Sequence, residues 1–178
     1  MPSSNQILSV LAAIAVATTN AAMGLAFSTG PSDEWSIFAY TLTKTGDKSQ
    51  LPVQDEHQAP AKTGDRVTMH YKYDASTQEY VQYVSINGKQ VSTLSTSKGH
   101  EAMGFGSSVE CGASDCGTIA AHRKSCIWVD TKIILNTADP NYIQTFGKGE
   151  GVTGGEMTTS DGGQTWVISN VNIPSFTF

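Results

Sequence analysis

Residues 67–73 read Val-Thr-Met-His-Tyr-Lys-Tyr, so that apolar or aromatic side chains alternate with polar ones at every step. This period of two predicts a β-strand with one face towards a core and the other towards water. Residues 80–86 repeat the alternation, Asn87-Gly88 follows, and residues 89–95 continue the pattern. Because Asn-Gly accepts the positive φ angles of a tight turn, the stretch predicts an antiparallel hairpin.

Strand signals recur on both sides of this hairpin. Residues 35–44 alternate in the same way, whereas residues 46–62 hold two prolines and are predicted to form a loop. Further apolar runs, separated by clusters of Gly, Asp, Asn and Pro, lie at Val109, Ile119, 127–135, Ile143 and 166–173. Roughly eight to ten strands without an amphipathic helix favour an all-β fold, and we predict an antiparallel β-sandwich.

The composition and the spacing of histidines give no support for binding of nucleic acid, a metal or a cofactor. Charged residues make up 15% of the chain, against roughly 25% in an average soluble protein. The net charge is −5, and the 11 basic residues are scattered apart from Arg123-Lys124, so nucleic acid is not a predicted partner. The four histidines show no zinc-binding spacing, and we predict neither a metal nor a cofactor.

The N-terminus differs from the rest of the chain. Residues 7–17 form an uncharged apolar run, and small residues follow at 18–22. This pattern predicts a signal peptide over 1–21, a linker over 22–34 and one β-sandwich domain over 35–178. We expect secretion, with no membrane contact after removal of the leader. No Lys or Arg precedes the apolar run, although a signal peptide favours a positive charge there. Because apolar character continues loosely to Phe27, a retained membrane anchor is the alternative.

The three cysteines fit an oxidising compartment. Cys111 and Cys116 enclose four residues, and this short loop can close as a disulfide. We predict that bridge. Three cysteines permit three single pairings, so Cys126 is a free thiol, an intermolecular link or the partner of one of the other two.

Residues 159–166 read Thr-Ser-Asp-Gly-Gly-Gln-Thr-Trp and resemble the Asp-box, a hairpin turn in which Asp accepts backbone hydrogen bonds. Asp-boxes occur in sialidase propellers, where they repeat once per blade and three arginines grip a carboxylate. This chain has one such box and two arginines, Arg66 and Arg123. We therefore predict a structural turn in which Asp161 and Trp166 maintain the fold.

A second resemblance covers about half of the chain. Residues 64–67 read Gly-Asp-Arg-Val, the Asn87-Gly88 hairpin follows, and residues 104–111 read Gly-Phe-Gly-Ser-Ser-Val-Glu-Cys. This order resembles small secreted jelly-roll sandwiches of the concanavalin A-like superfold, and among them the fungal glutamic peptidases (eqolisins). The resemblance implies a Glu that acts as general base on water, matched by Glu110, and a Gln that helps to hold the oxyanion. The candidates for the Gln are Gln50, Gln54, Gln78 and Gln82.

Carbohydrate-binding sandwiches stack sugar rings on aromatic side chains and bind the hydroxyls with amides and carboxylates. The predicted ligand-binding residues on neighbouring strands are Tyr71, Tyr73, Tyr80 and Gln82. The alternative is that Tyr71 and Tyr73 face the core, with Thr68, His70 and Lys72 outside.

We expect a secreted module that binds polysaccharide or another extracellular partner, such as a protein, without catalysis. A glutamic-peptidase-like acid hydrolase that uses Glu110 and a Gln is the first alternative. A divergent secreted protein without a retained catalytic site is the second.

Overall fold

The computed structural model describes residues 8–16, 22–26, 35–62, 64–96, 98, 102–111 and 126–174. The chain divides into two compact units, Met1–Cys116 and Gly117–Phe178. In both units the described strands form antiparallel sheets, so the predicted all-β fold is confirmed. The concanavalin-like sandwich arrangement stays a prediction. No helix within the described ranges has the length and apolar character needed to span a membrane.

The described part of the first unit contains nine strands. They are β1 (Leu8–Val16), β2 (Ala22–Ala26), β3 (Trp35–Gly46), β4 (Ser49–Gln54), β5 (Ala59–Ala61), β6 (Val67–Asp74), β7 (Glu79–Ile86), β8 (Lys89–Leu94) and β9 (Ala102–Cys111). One sheet has the order β4-β3-β2-β1-β9, with β5 also paired to β3, and a second sheet has the order β6-β7-β8. Strands β1 and β2 fall within the segments predicted as leader and linker, whose boundaries stay predictions.

The loop predicted for 46–62 is wrong, because β4 and β5 lie within it. Pro52 and Pro60 suggested a break in structure, since proline cannot donate a hydrogen bond to a sheet. Among the described strands, however, β4 and β5 each pair with β3 alone. Proline is compatible with an edge strand, because a nitrogen that faces away from the single partner removes no hydrogen bond of the sheet.

Strands β6, β7 and β8 form the sheet predicted from alternation. Asn87 and Gly88 have φ angles of 51° and 82°, as a two-residue hairpin turn requires. The odd-numbered residues 67–73 of β6 are half-buried, and the even-numbered residues 68–72 are exposed. On β7, Gln82 and Val84 are each 2% exposed and lie on the covered face. The sheet therefore has an inner face and an outer face.

The described part of the second unit contains six strands in two sheets, ordered β10-β15-β12 and β11-β14-β13. They are β10 (Cys126–Trp128), β11 (Thr131–Ile134), β12 (Thr153–Gly154), β13 (Met157–Thr158), β14 (Thr165–Ile168) and β15 (Val171–Ile173). The run at 127–135 divides between two sheets at Asp130, whose φ is 55°. The run near Ile119 lies outside the described residues.

The strand predicted around Ile143 is wrong, because Tyr142–Thr145 form a 3-10 helix. Asp139 starts this helix: its Oδ1 accepts the N–H of Asn141 at 2.9 Å, and its carbonyl oxygen accepts the N–H of Tyr142 at 3.2 Å. These local bonds compete with extended structure. Tyr142 then packs beside Trp166, with 6.3 Å between ring centroids.

The turn between β13 and β14 has the hydrogen bonds expected of the Asp-box sequence. Asp161 Oδ1 accepts the N–H of Thr165 at 2.8 Å and the hydroxyl of Thr159 at 2.9 Å. Gly162 and Gly163 have φ angles of 74° and 97°. Beneath the turn, Trp166 is 3% exposed and belongs to the core of this unit. Asp161 and Trp166 thus have the structural roles predicted for them.

Candidate functional site

The outer face of the β6-β7-β8 sheet combines an aromatic pair with polar side chains. His70, Tyr83 and Thr93 are cross-strand neighbours on the three strands. The ring centroids of His70 and Tyr83 lie 5.9 Å apart, with an interplanar angle of 42°. The other residues of this outer face are Thr68, Lys72, Val81, Ser85 and Gln90.

Several groups on the outer face are accessible to a ligand. His70, Lys72 and Thr93 are exposed, whereas Tyr83 is half-buried. The Thr93 hydroxyl donates to the carbonyl oxygen of Gln82 at 2.9 Å, which fixes its orientation and leaves its oxygen as an acceptor. The face therefore presents an aromatic ring surrounded by hydroxyl, imidazole, amide and ammonium groups.

The four residues predicted to bind a ligand lie together on the inner face. The rings of Tyr73 and Tyr80 are 5.0 Å apart, and the Tyr80 hydroxyl accepts the N–H of Ala102 at 3.2 Å. Burial raises the pKa of Tyr71. Tyr71 and Tyr73 are both half-buried, as expected for the alternative in which they contribute to the core.

The side-chain amide of Gln82 is hydrogen-bonded to strand β3. Its Nε2 donates to the carbonyl oxygen of Tyr40 at 3.1 Å and to Thr41 Oγ1 at 3.0 Å. Both acceptors lie on β3, and Thr41 is completely buried. The amide therefore satisfies a buried hydroxyl and links the two sheets of the first unit. Binding of a ligand by Tyr71, Tyr73, Tyr80 and Gln82 stays a prediction.

One cluster in the first unit contains the three residue types of a hydrolase triad, namely Ser92, Asp55 and His57. The order in which they are bonded differs from that of a triad. The carboxylate of Asp55 accepts the Ser92 hydroxyl at 2.6 Å and lies 3.1 Å from His57 Nδ1. A triad instead places the histidine between serine and carboxylate, so that the histidine takes the serine proton. Ser92 is also only 3% exposed, which leaves its oxygen no access to a substrate.

The Asp55 carboxylate stabilises the first unit. Its burial raises its pKa, but the hydrogen bonds from Ser92, Thr93 and His57 outweigh burial and lower the pKa to about 2. Ser92 Oγ in turn accepts the N–H of Ala39 at 2.8 Å. This chain of bonds, which we call the Asp55 network, joins the loop after β4 to β8 and β3.

The residues implied by the peptidase resemblance are only partly described. Glu110 and Cys111 lie on β9, paired in register with Ser9 and Leu8 of β1, but their side chains fall outside the described part of the structure. Cys116 also lies outside it. A catalytic Glu110 and a Cys111–Cys116 disulfide both stay predictions.

The Gln candidates for that resemblance are dispersed, and the described chain provides no metal centre. Gln54 and Gln78 are exposed and Gln82 is buried, while the side chain of Gln50 is not described. Within the described ranges, no three residues among His, Cys, Asp and Glu are grouped so that they could hold a metal ion.

The sequence indicated Thr68, His70 and Lys72 as the outer side of β6 if Tyr71 and Tyr73 belong to the core, but pairing between strands decides which residues of β7 and β8 join them. The turn at 75–78, in which Gln78 has a φ of 58°, sets the register that places His70 opposite Tyr83. Alternation alone indicated two faces of β6, without the register that joins residues of different strands.

Comparison of the chain with protein-family models, curated proteins and solved structures found no match.

Proposed function

We propose that this protein is a secreted, non-catalytic module that binds carbohydrate on the outer face of β6-β7-β8. The observation that carries the proposal is the His70–Tyr83 pair, which lies on the face turned away from β3. Half-exposed aromatic rings beside hydroxyl and amide groups suit a ligand that is apolar on its faces and polar at its edges. A sugar ring has this character.

The polar neighbours of Tyr83 suit the edges of such a ring. Thr93 lies directly opposite Tyr83 on β8, and Thr68 and Lys72 flank His70 on β6. The Lys72 ammonium and the Thr68 hydroxyl can donate to sugar hydroxyls, whereas Thr93, whose proton is bonded to the Gln82 carbonyl, can accept from them. Because the whole chain is weakly ionic, we propose a neutral polysaccharide as the ligand.

Binding can be tested by retention of the purified protein on a panel of insoluble neutral polysaccharides. We expect Tyr83→Ala to weaken binding about tenfold, because the stacking ring is removed. Tyr83→Phe retains the ring and should bind within about threefold of the unsubstituted protein. Tyr142→Phe, at a half-buried tyrosine of the second unit, is the control and should not change binding.

Two results would overturn the proposal. The first is equal retention of Tyr83→Ala and the unsubstituted protein. The second is cleavage of denatured protein at acidic pH that disappears in Glu110→Gln, which would establish the glutamic-peptidase alternative.

Secretion has its own test in the intact mass of the protein recovered from the medium. Cleavage after Ala21 removes β1, which lies between β2 and β9 in the first sheet. We expect a mature chain that starts at Ala22. A secreted product that retains residues 8–16 would show that this segment serves as a strand and is not a leader.

A further inference from the structure

The side chain of Asn87 ties the β7–β8 turn to the residues before β6. Its Nδ2 donates to Asp65 Oδ1 at 2.7 Å, and its Oδ1 accepts the N–H of Arg66 at 2.9 Å. The backbone N–H of Asn87 also donates to the carbonyl oxygen of Arg66 at 2.9 Å. Both ends of the side-chain amide are therefore held towards residues 65–66.

Asp65 is well placed to hold this amide. Its Oδ2 accepts the N–H of Lys62 at 2.8 Å. The bonds from Lys62 and Asn87 lower the pKa of Asp65, so its carboxylate is charged at neutral pH. Hydrogen bonds to a charged acceptor are stronger than those between neutral groups. Asn87 is thus restrained by a fixed anionic partner.

Gly88, the residue after Asn87, favours attack of its backbone nitrogen on the side-chain amide of Asn87. Gly88 has no side chain to hinder approach to its backbone nitrogen, and no heavy atom beyond its two chain neighbours lies within 4 Å of the position that a Cβ would occupy. Asparagine is thermolabile in general, and a following glycine makes cyclisation easiest. Asn87-Gly88 is the only Asn-Gly dipeptide among the 178 residues.

We propose that Asn87 is a deamidation site that Asp65 holds in check. In the reaction, the Gly88 nitrogen bonds to Asn87 Cγ, the Cγ–Nδ2 bond breaks, and ammonia leaves with the amide proton. Water then opens the cyclic imide to aspartate or isoaspartate. The net change is hydrolysis of one amide, without oxidation or reduction. The bonds to Asp65 and Arg66 restrain the side-chain rotation that this attack requires.

The product cannot restore this connection. A carboxylate at position 87 would face the Asp65 carboxylate where a donor now lies 2.7 Å away, and like charges repel. Isoaspartate would also add a backbone atom to a turn whose two-residue length sets the register of β7 and β8. Deamidation therefore removes the bond between Asn87 and Asp65 irreversibly.

The test follows deamidation at Asn87 by peptide mapping and isoaspartate detection at neutral pH and physiological temperature. We expect Asp65→Ala to deamidate about five- to tenfold faster than the unsubstituted protein, because a charge-assisted bond is lost. Asp65→Asn keeps an acceptor oxygen and should stay within about twofold. The six other asparagines provide internal references in the same digest.

Denatured protein gives the rate without restraint, and amide exchange of the hairpin verifies that each variant is folded. If Asp65→Ala does not fold, the native-to-denatured ratio and Asp65→Asn decide the question. Three results would overturn the proposal: equal rates in native and denatured protein, equal rates in Asp65→Ala and the unsubstituted protein, or a rate in Asp65→Asn as fast as in the denatured chain.

Discussion

Two aspartates organise the two units in different ways. The carboxylate of Asp161 bonds to Thr159 and Thr165, two and four residues away, within a single turn. The carboxylate of Asp55 bonds to Ser92 and Thr93, 37 and 38 residues away. A short loop costs little entropy to close, whereas distant partners meet only after the chain has folded. A short sequence motif therefore predicts the Asp161 turn, whereas no such motif predicts the Asp55 network.

The Asp55 network fills a gap in the pairing of β3. This strand pairs with β5 from Trp35 to Ile37 and with β4 from Tyr40 to Gly46, so Ala39 has neither as a ladder partner. The carbonyl oxygen of Ala39 accepts the N–H of Asp55 at 3.1 Å, and its N–H donates to Ser92 Oγ. Because Ala39 is fully buried, these bonds satisfy groups that water cannot reach. The network thus compensates for a change of strand partner.

The largest loss of stability is expected from a substitution at Gly163, which tests how tightly the Asp161 turn packs. A Cβ on Gly163 would lie 2.5 Å from the carbonyl carbon of Asp139, at a φ of 97°. We expect Gly163→Ala to lower the free energy of unfolding by about 3 kcal/mol, from backbone displacement and strain. Gly162→Ala has a φ of 74° and open space around its Cβ, so it should lose only about 1 kcal/mol. Urea unfolding followed by tryptophan fluorescence compares the two, and equal losses would contradict the close contact.

The second prediction removes the long-range carboxylate. Asp55→Ala takes the acceptor from the buried Ser92 hydroxyl and from the N–H of Thr93, and we expect a loss of about 2 kcal/mol. Asp55→Asn keeps one acceptor oxygen and should lose less. Amide exchange at Thr93 and Ala39 measures the effect locally. Unchanged exchange at both residues in Asp55→Ala would show that the network does not stabilise the first unit.

The third prediction concerns the free energy of unfolding at acidic pH. The pKa of Asp55 falls from 3.8 to about 2 on folding, so between these values the folded state binds fewer protons than the unfolded state. The stabilisation is therefore complete above pH 3.8 and is lost as the pH falls towards 2. Unfolding free energies measured through this range should decline more steeply in the unsubstituted protein than in Asp55→Asn. Parallel slopes would contradict the assignment.

The smallest effect is expected from Asp161→Ala. This carboxylate is exposed, and β13 and β14 remain paired through Thr158 and Val167 without it. We expect faster amide exchange at Thr165, whose N–H loses its acceptor, with a smaller loss of global stability than in Asp55→Ala. A larger global loss than in Asp55→Ala would reverse the comparison between the two aspartates.

Much of the local structure was predictable from the chain alone. The alternation over 67–73, the positive-φ turn at Asn87-Gly88 and the Asp161 turn each depend on residues a few positions apart. Backbone geometry and side-chain chemistry act directly over such distances. The sequence by itself therefore determined the all-β character and the position of these turns.

Only the tertiary structure decided which face of each strand is covered and which distant groups meet. Alternation marks two faces of a strand, but the face that becomes the inner one depends on what packs against it. Gln82 reaches β3, while Tyr83, one residue later, meets His70 on the outer face. The edge strands β4 and β5 and the partners of Asp55 also arise from contacts that exist only in the folded chain, because no local pattern encodes a neighbour that is distant in sequence.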